Sequence, residues 1–176
     1  VGENRDQEAA AKRIEVGDAP LRWHMIGQLQ RNKVRSVVRW ADVVESVDRP
    51  DLAHRIGRAA ADAGRVVEVL IQVSLDTPPE PGRGGVDPAD VATLATAILE
   101  EPGLRLGGVM GVAPHPGDPR PAFELLARIH EQVRAIAPEA VTMSAGMSGD
   151  LEAAIAAGAT QVRIGGAILG NRPPLG

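Results

Sequence analysis

One turn of the sequence has the composition of an anion-binding site: residues 144–150 read Ser-Ala-Gly-Met-Ser-Gly-Asp. The turn follows a predicted strand that ends at Ala145, and Ser148 is placed to cap a predicted helix that runs to Ala157. Glycine allows a tight turn, and the first amides of a helix have no acceptor within the helix. Such N–H groups attract phosphate. The alternative is that Ser148 is only a helix N-cap.

The next predicted strand carries a second glycine pair, in Arg163-Ile164-Gly165-Gly166. In (β/α)8 barrels the loops after strands seven and eight often hold a phosphate together, and we assign these two turns to those loops. Arg163 stands between apolar neighbours, and a buried guanidinium requires an acceptor. That acceptor is either a carboxylate of the core or a group on a bound ligand.

Histidine and cysteine usage argues against a metal centre. The chain has no cysteine, which excludes disulfides, zinc–cysteine sites and thiol catalysis within it. Three of its histidines lie at positions 54, 115 and 130, without the spacing of metal ligands. His24 lies in a predicted strand and, taken alone, would be a core histidine. Asn4 follows a strand stub and, taken alone, would be a helix cap.

Composition limits the class of protein further. The chain has 176 residues, a net charge of −4 and only 2% aromatic residues, which argues against a nucleic-acid partner. No apolar run reaches the roughly 18 residues that a membrane span needs, and no leader is visible. We therefore expect a single cytoplasmic domain over residues 1–176 with no membrane contact.

The hydrophobic pattern alternates between strand and helix periodicity. Six strands are predicted, each alternating with a helix, after a strand stub at Val1. The predicted strands are 23–29, 43–47, 66–75, 104–112, 141–145 and 161–169.

Two α/β folds fit this alternation, a doubly wound open sheet and a (β/α)8 TIM-type barrel. The chain has no G-x-G-x-x-G or P-loop motif after a strand, which weakens the first. A barrel usually needs about 250 residues. We therefore expect a TIM-type barrel whose N-terminal helix, first strand and much of the second strand are missing.

Four motifs, in chain order, resemble the YggS/PROSC family of pyridoxal phosphate homeostasis proteins. They occupy residues 2–8, 23–33, 144–152 and 162–170. The resemblance implies a single-domain barrel of the alanine-racemase type that binds pyridoxal 5'-phosphate as a Schiff base on a lysine. It also implies a monomer with no established turnover, which buffers the cofactor or delivers it to apo-enzymes.

The residues that the resemblance places at the cofactor are Asn4, His24, Ser144, Met147, Ser148, Arg163, Gly165 and Gly166. Ser148 and the backbone of residues 165–166 would hold the phosphate. Arg163 would face the pyridine nitrogen, and Asn4 and His24 would line the ring pocket. Arginine keeps that nitrogen unprotonated, so carbanion chemistry is weakly supported and a carrier is favoured.

This sequence departs from the family pattern in three ways. The Schiff-base lysine is expected upstream of Val1, and neither Lys12 nor Lys33 matches its motif. Gly166 stands where the family has threonine. Arg83 stands where many members have a lysine.

Two other functions remain open from the residues. One is an amino-acid racemase with the same barrel and the same cofactor, although a racemase needs a second base, usually a tyrosine, and this chain has none. The other is a barrel whose phosphate site takes a different phosphorylated metabolite.

Overall fold

Six parallel strands form one sheet, in the order in which they occur along the chain. The computed structural model describes residues 1–76, 78 and 82–170. The strands are β1 (Gly2–Glu3), β2 (His24–Met25), β3 (Val43–Val47), β4 (Val67–Val73), β5 (Leu104–Gly111) and β6 (Thr142–Ser144). The helices are α1 (Asp6–Val16), α2 (Val34–Trp40), α3 (Pro50–Asp62), α4 (Val91–Leu99), α5 (Arg120–Ile136), α6 (Leu151–Ala156) and α7 (Gly166–Leu169). Short 3-10 turns, Arg31–Lys33 and Pro88–Asp90, precede α2 and α4.

The sheet is curled like part of a barrel wall. Ser144 in β6 donates a 2.6 Å hydrogen bond to Glu45 in β3, although β4 and β5 lie between these strands. In a flat sheet three strand spacings would hold the two backbones roughly 14 Å apart. The contact therefore requires curvature, and the TIM-type fold is confirmed as a half-barrel that is open between β1 and β6 within the described residues.

Apolar side chains cover both faces of the long strands. On the convex face, alternate residues such as Val44, Val69 and Val109 pack with the helices into the main core. On the concave face Val43, Leu70 and Met110 form a second, smaller cluster. Strands with two buried faces carry the near-continuous apolar runs that the sequence shows.

The prediction of a last strand over residues 161–169 is wrong. Only Gln161 forms a bridge, to Ser144 at the end of the short β6, and residues 166–169 are helical. A strand needs a ladder partner, and β6 offers none beyond Ser144. Gly165 also leaves the extended conformation, with φ −112° and ψ −87°.

Two other expectations of local structure are corrected. The strand predicted over residues 23–29 pairs only at His24 and Met25, with β1 on one side and with Val43 and Val44 of β3 on the other. Ser148 does not cap a helix, since α6 begins at Leu151 with Asp150 in the N-cap position.

Glycines inside β5 mark a close approach of strands. Gly108 has φ +147°, and a Cβ there would overlap the carbonyl oxygen of Thr142 in β6. A Cβ on Gly107 would lie 2.6 Å from Cδ of Glu68 in β4. The two glycines thus allow β5 to fit tightly between its neighbours.

None of the helices in the described part of the chain combines the length and apolar character needed to cross a bilayer.

Candidate functional site

A buried carboxylate lies at the centre of the concave face. Glu45 in β3 is fully buried and accepts three side-chain hydrogen bonds. His24 Nδ1 lies 2.6 Å from one carboxylate oxygen, and Gln161 Nε2 donates to the same oxygen at 2.7 Å. Ser144 Oγ donates to the other oxygen at 2.6 Å. We call Glu45, His24, Ser144, Gln161 and Arg163 the polar network.

The hydrogen bonds keep Glu45 ionised despite its burial. Burial alone would raise the pKa of Glu45, but the hydrogen bond from His24 works in the opposite direction. The hydrogen bonds from Ser144 and Gln161 and the charge interaction with His24 lower the pKa further, so that it falls below its usual 4.5. An ionised carboxylate only accepts, which fits the three donors around it.

Arg163 completes the network from the segment after Gln161. Its Nη1 donates to Ser144 Oγ at 2.8 Å, and its Nη2 donates to the carbonyl oxygen of Gly111 at 2.9 Å. Burial lowers the pKa of Arg163, while Glu45 and Asp150 favour its charged form. Its acceptors are thus a hydroxyl and a backbone carbonyl, whereas the core carboxylate that the sequence suggested lies one hydrogen bond further away.

Sequence reasoning missed Glu45. Residues 43–47 are predicted as a strand from their valines, and Glu45 is the one ionisable residue among them. The argument that gave Arg163 a partner applies equally to a glutamate among buried valines, so the signal was present.

Two glycine-rich turns lie side by side next to Arg163. The backbone N–H of Arg163 donates to the carbonyl of Gly146 at 2.9 Å and so ties the turns together. A Cβ added at Gly149, Gly165 or Gly166 would meet nothing within 4 Å. Within the described residues, the amides of these glycines and of Ser148 have no hydrogen-bond acceptor.

A cavity of about 760 Å³ opens at the carboxyl ends of β4 and β5, beside the first of these turns. Met147, Gly149 and Asp150 form one wall. Arg83 forms another and is held by Asp76 at 3.1 Å and by two backbone carbonyls. Neither lysine of the chain lines this cavity.

The structure places Asn4 apart from the other predicted site residues. Asn4 lines a separate groove of about 350 Å³ together with Lys33. The other lysine, Lys12, binds the buried Glu3 at 2.7 Å. Glu45 brings together three of the predicted residues: His24, Ser144 and Arg163. The glycine turns contain the others: Met147, Ser148 and residues 165–166. Within the described chain no cluster of His, Asp or Glu has an arrangement suited to a metal ion.

Comparisons with known proteins identify the family to which the chain is similar. Residues 1–173 match the family described as alanine racemase, N-terminal domain. The pyridoxal phosphate homeostasis protein of Mycobacterium tuberculosis is 42% identical, over 98% of this chain and 73% of its own length. The protein of the same name from Corynebacterium glutamicum is 44% identical, over 98% of this chain and 80% of its own length.

A solved structure is similar along most of the chain. PipY of Synechococcus elongatus, with PLP bound, superposes with a TM-score of 0.84 at 35% identity. The match covers 93% of this chain and 78% of PipY. From the family match and these identities, the chain belongs to the pyridoxal phosphate homeostasis protein family, within the alanine racemase N-terminal domain group.

Proposed function

We propose that this chain binds pyridoxal 5'-phosphate at the carboxyl ends of its strands and serves cytoplasmic cofactor homeostasis rather than turnover. The observation that carries the proposal is the partly buried Arg163 beside two glycine turns whose amides have no acceptor within the described residues. Relatives at 42% and 44% identity bear the homeostasis name, and a similar structure holds the cofactor.

The residues present fit the cofactor's two polar ends. A phosphate needs several N–H donors, and the open amides of Ser148, Gly149 and residues 165–166 supply them. A pyridine nitrogen needs one donor, and the Arg163 guanidinium has more N–H groups than the two acceptors that it uses here. His24 would border the ring; Asn4 would do so only from the separate groove that it lines.

The position of Arg163 favours a carrier. When bound, the cofactor supplies an aldehyde and an electron-withdrawing ring, and the ring withdraws electrons best when its nitrogen is protonated. The arginine cannot give up a proton at physiological pH, so it holds that nitrogen in the unprotonated form. A site of this kind binds the cofactor without activating it for racemisation, which suits a monomer that passes the cofactor to apo-enzymes.

Titration with pyridoxal phosphate, followed by absorbance, tests the proposal. We expect saturable binding at one site per chain. Ser148→Ala keeps the amide and removes the hydroxyl as a further phosphate donor, so it should weaken binding by about 1 kcal/mol, or roughly fivefold, the usual contribution of one hydrogen bond. Ser46→Ala is the matched control, because the buried Ser46 hydroxyl has no hydrogen-bond partner among the described residues.

Two outcomes would refute the proposal. One is the absence of saturable binding by the unmodified chain. The other is racemisation of L-alanine by the loaded protein at an enzymatic rate, which would make the chain an enzyme.

A further inference from the structure

Glu45 is the shared hydrogen-bond partner of His24 and Ser144, two of the residues proposed to hold the cofactor. Its carboxylate accepts from His24, Ser144 and Gln161, at distances between 2.6 and 2.7 Å. Full burial removes water as a competing partner. The state of this one carboxylate therefore decides how the surrounding hydrogen bonds are oriented.

Ser144 transmits that orientation to Arg163. A serine hydroxyl has one proton, and Ser144 directs it to Glu45. Its oxygen is then free to accept from Arg163 Nη1 at 2.8 Å and from Gln161 Nε2 at 3.2 Å. A guanidinium only donates, so Arg163 needs Ser144 in this orientation.

The second hydrogen bond of Arg163 fixes the rest of the guanidinium plane. Nη2 donates to the Gly111 carbonyl at the end of β5. Because Nη1 and Nη2 are held by different elements, the plane cannot rotate without losing one acceptor. The backbone carbonyl is constant, whereas the Ser144 acceptor depends on Glu45.

We infer that Glu45 is a positioning residue: through Ser144 it fixes the guanidinium of Arg163 that faces the pyridine nitrogen of the bound cofactor. The part that concerns the cofactor rests on the proposed function. In Glu45→Gln the amide oxygen can accept at only one of the two carboxylate positions, and the NH2 group at the other position cannot accept. Because one amide oxygen cannot replace both carboxylate oxygens, Ser144 would lose the fixed orientation that it has beside Glu45, and its hold on Arg163 would weaken.

A purely structural role for Glu45 would have different consequences. Glu68 in β4 is also buried and paired, with Arg22 at 2.8 Å and with Arg105. Glu68→Gln therefore removes a comparable buried charge outside the polar network. Both variants should lower stability, but only Glu45→Gln should release Arg163.

The first measurement uses the cofactor-free chain. Nitrogen NMR gives the rate at which the Arg163 guanidinium rotates about its Cζ–Nε bond. We expect rotation about tenfold faster in Glu45→Gln, the factor that corresponds to 1.4 kcal/mol. Ser144→Ala should have the same effect, because it removes the acceptor and leaves Glu45 in place. In Glu68→Gln the Arg163 guanidinium should rotate at the same rate as in the unmodified chain.

The second measurement adds pyridoxal phosphate labelled with ¹⁵N in the ring. Glu45→Gln should bind it less tightly, and the chemical shift of the pyridine nitrogen should change relative to the unmodified chain.

An unchanged rotation rate in both Glu45→Gln and Ser144→Ala would overturn the inference whether or not the cofactor binds. Faster rotation with unchanged affinity and chemical shift would overturn its cofactor part and leave the proposed function intact. If the unmodified chain bound no cofactor while both variants rotated faster, the proposed function would fail and the positioning of Arg163 by Glu45 would stand.

Discussion

At the scale of single residues, the fold buries opposite charges without joining them directly. Glu45 is fully buried and Arg163 is partly buried, and Ser144 lies between them. Separation by one hydroxyl leaves the guanidinium with unused N–H groups that a direct carboxylate pair would occupy. A buried charge kept available in this way is a feature of a binding site rather than of a core ion pair.

The lowered pKa of Glu45 predicts how stability depends on pH. The folded-state pKa lies below the usual 4.5, so the contribution of Glu45 is fully present above about pH 4.5 and is lost as the pH falls through the lowered value. Urea unfolding of the unmodified chain and of Glu45→Gln should give a constant free-energy difference at neutral pH. That difference should shrink in acid.

The comparison of the two proteins isolates Glu45. The side-chain and backbone hydrogen bonds of Arg120 lower the pKa of the exposed Asp118 as well, but Asp118 titrates equally in both proteins and cancels. A free-energy difference that stays constant well below pH 4.5 would contradict this assignment.

At the scale of secondary-structure elements, the junction of β5 and β6 positions the site. β6 is only three residues long, yet it carries Ser144 and continues into the first glycine turn. Gly108 lets β5 approach β6 closely enough for Ser144 to reach Glu45. The position of the hydroxyl in the polar network therefore depends on a glycine that makes no polar side-chain contact.

Gly108→Ala should accordingly be strongly destabilising. A methyl group there would overlap the Thr142 carbonyl, and alanine would also adopt a positive φ. We expect a loss of roughly 2–4 kcal/mol from overpacking and backbone strain together. Thermal and urea unfolding would measure it.

Gly149→Ala is the control for this prediction, because its added methyl would meet nothing within 4 Å and its φ is not positive. Its stability should stay within about 0.5 kcal/mol of the unmodified chain. Equal stability of the two variants would show that β5 and β6 are not as close as described.

The sequence alone predicts the bounds of the strands that are packed on both faces. It does not predict the bounds of elements that lack a partner on one side. β3, β4 and β5 appear within two residues of their predicted bounds, because continuous apolar runs report burial directly. The segment after Gln161 is as apolar as a strand but has no further ladder partner in β6, and pairing is not encoded locally. The sequence identifies Arg163 because a charge among apolar residues needs a partner. It assigns the helix cap wrongly to Ser148, because Asp150, two residues later, is also a residue type that caps helices and takes that position.

At the scale of the whole molecule, both lysines lie away from the large cavity. Lys12 pairs with Glu3 behind β1, and Lys33 lines the separate groove beside Asn4. A lysine forms a covalent bond with a cofactor aldehyde only if its amine reaches the carbon. The 176-residue chain should therefore hold the cofactor non-covalently.

Borohydride reduction followed by peptide mass mapping tests this prediction. Little or no modification of Lys12 and Lys33 is expected, although the cofactor saturates the protein. Lysine added as a free amine with the cofactor is the control for the reduction chemistry. Stoichiometric labelling of Lys33 would show that the cofactor lies in the Asn4 groove instead.

The most direct test of the central claim is a crystal structure of this chain grown with pyridoxal phosphate. We predict the phosphate within hydrogen-bond distance of the amides of Ser148 and residues 165–166, and the pyridine nitrogen facing the Arg163 guanidinium. Arg163 should keep its contacts with Ser144 and the Gly111 carbonyl. Density for the cofactor in the Asn4 and Lys33 groove, with the glycine turns empty at saturating cofactor, would contradict the account.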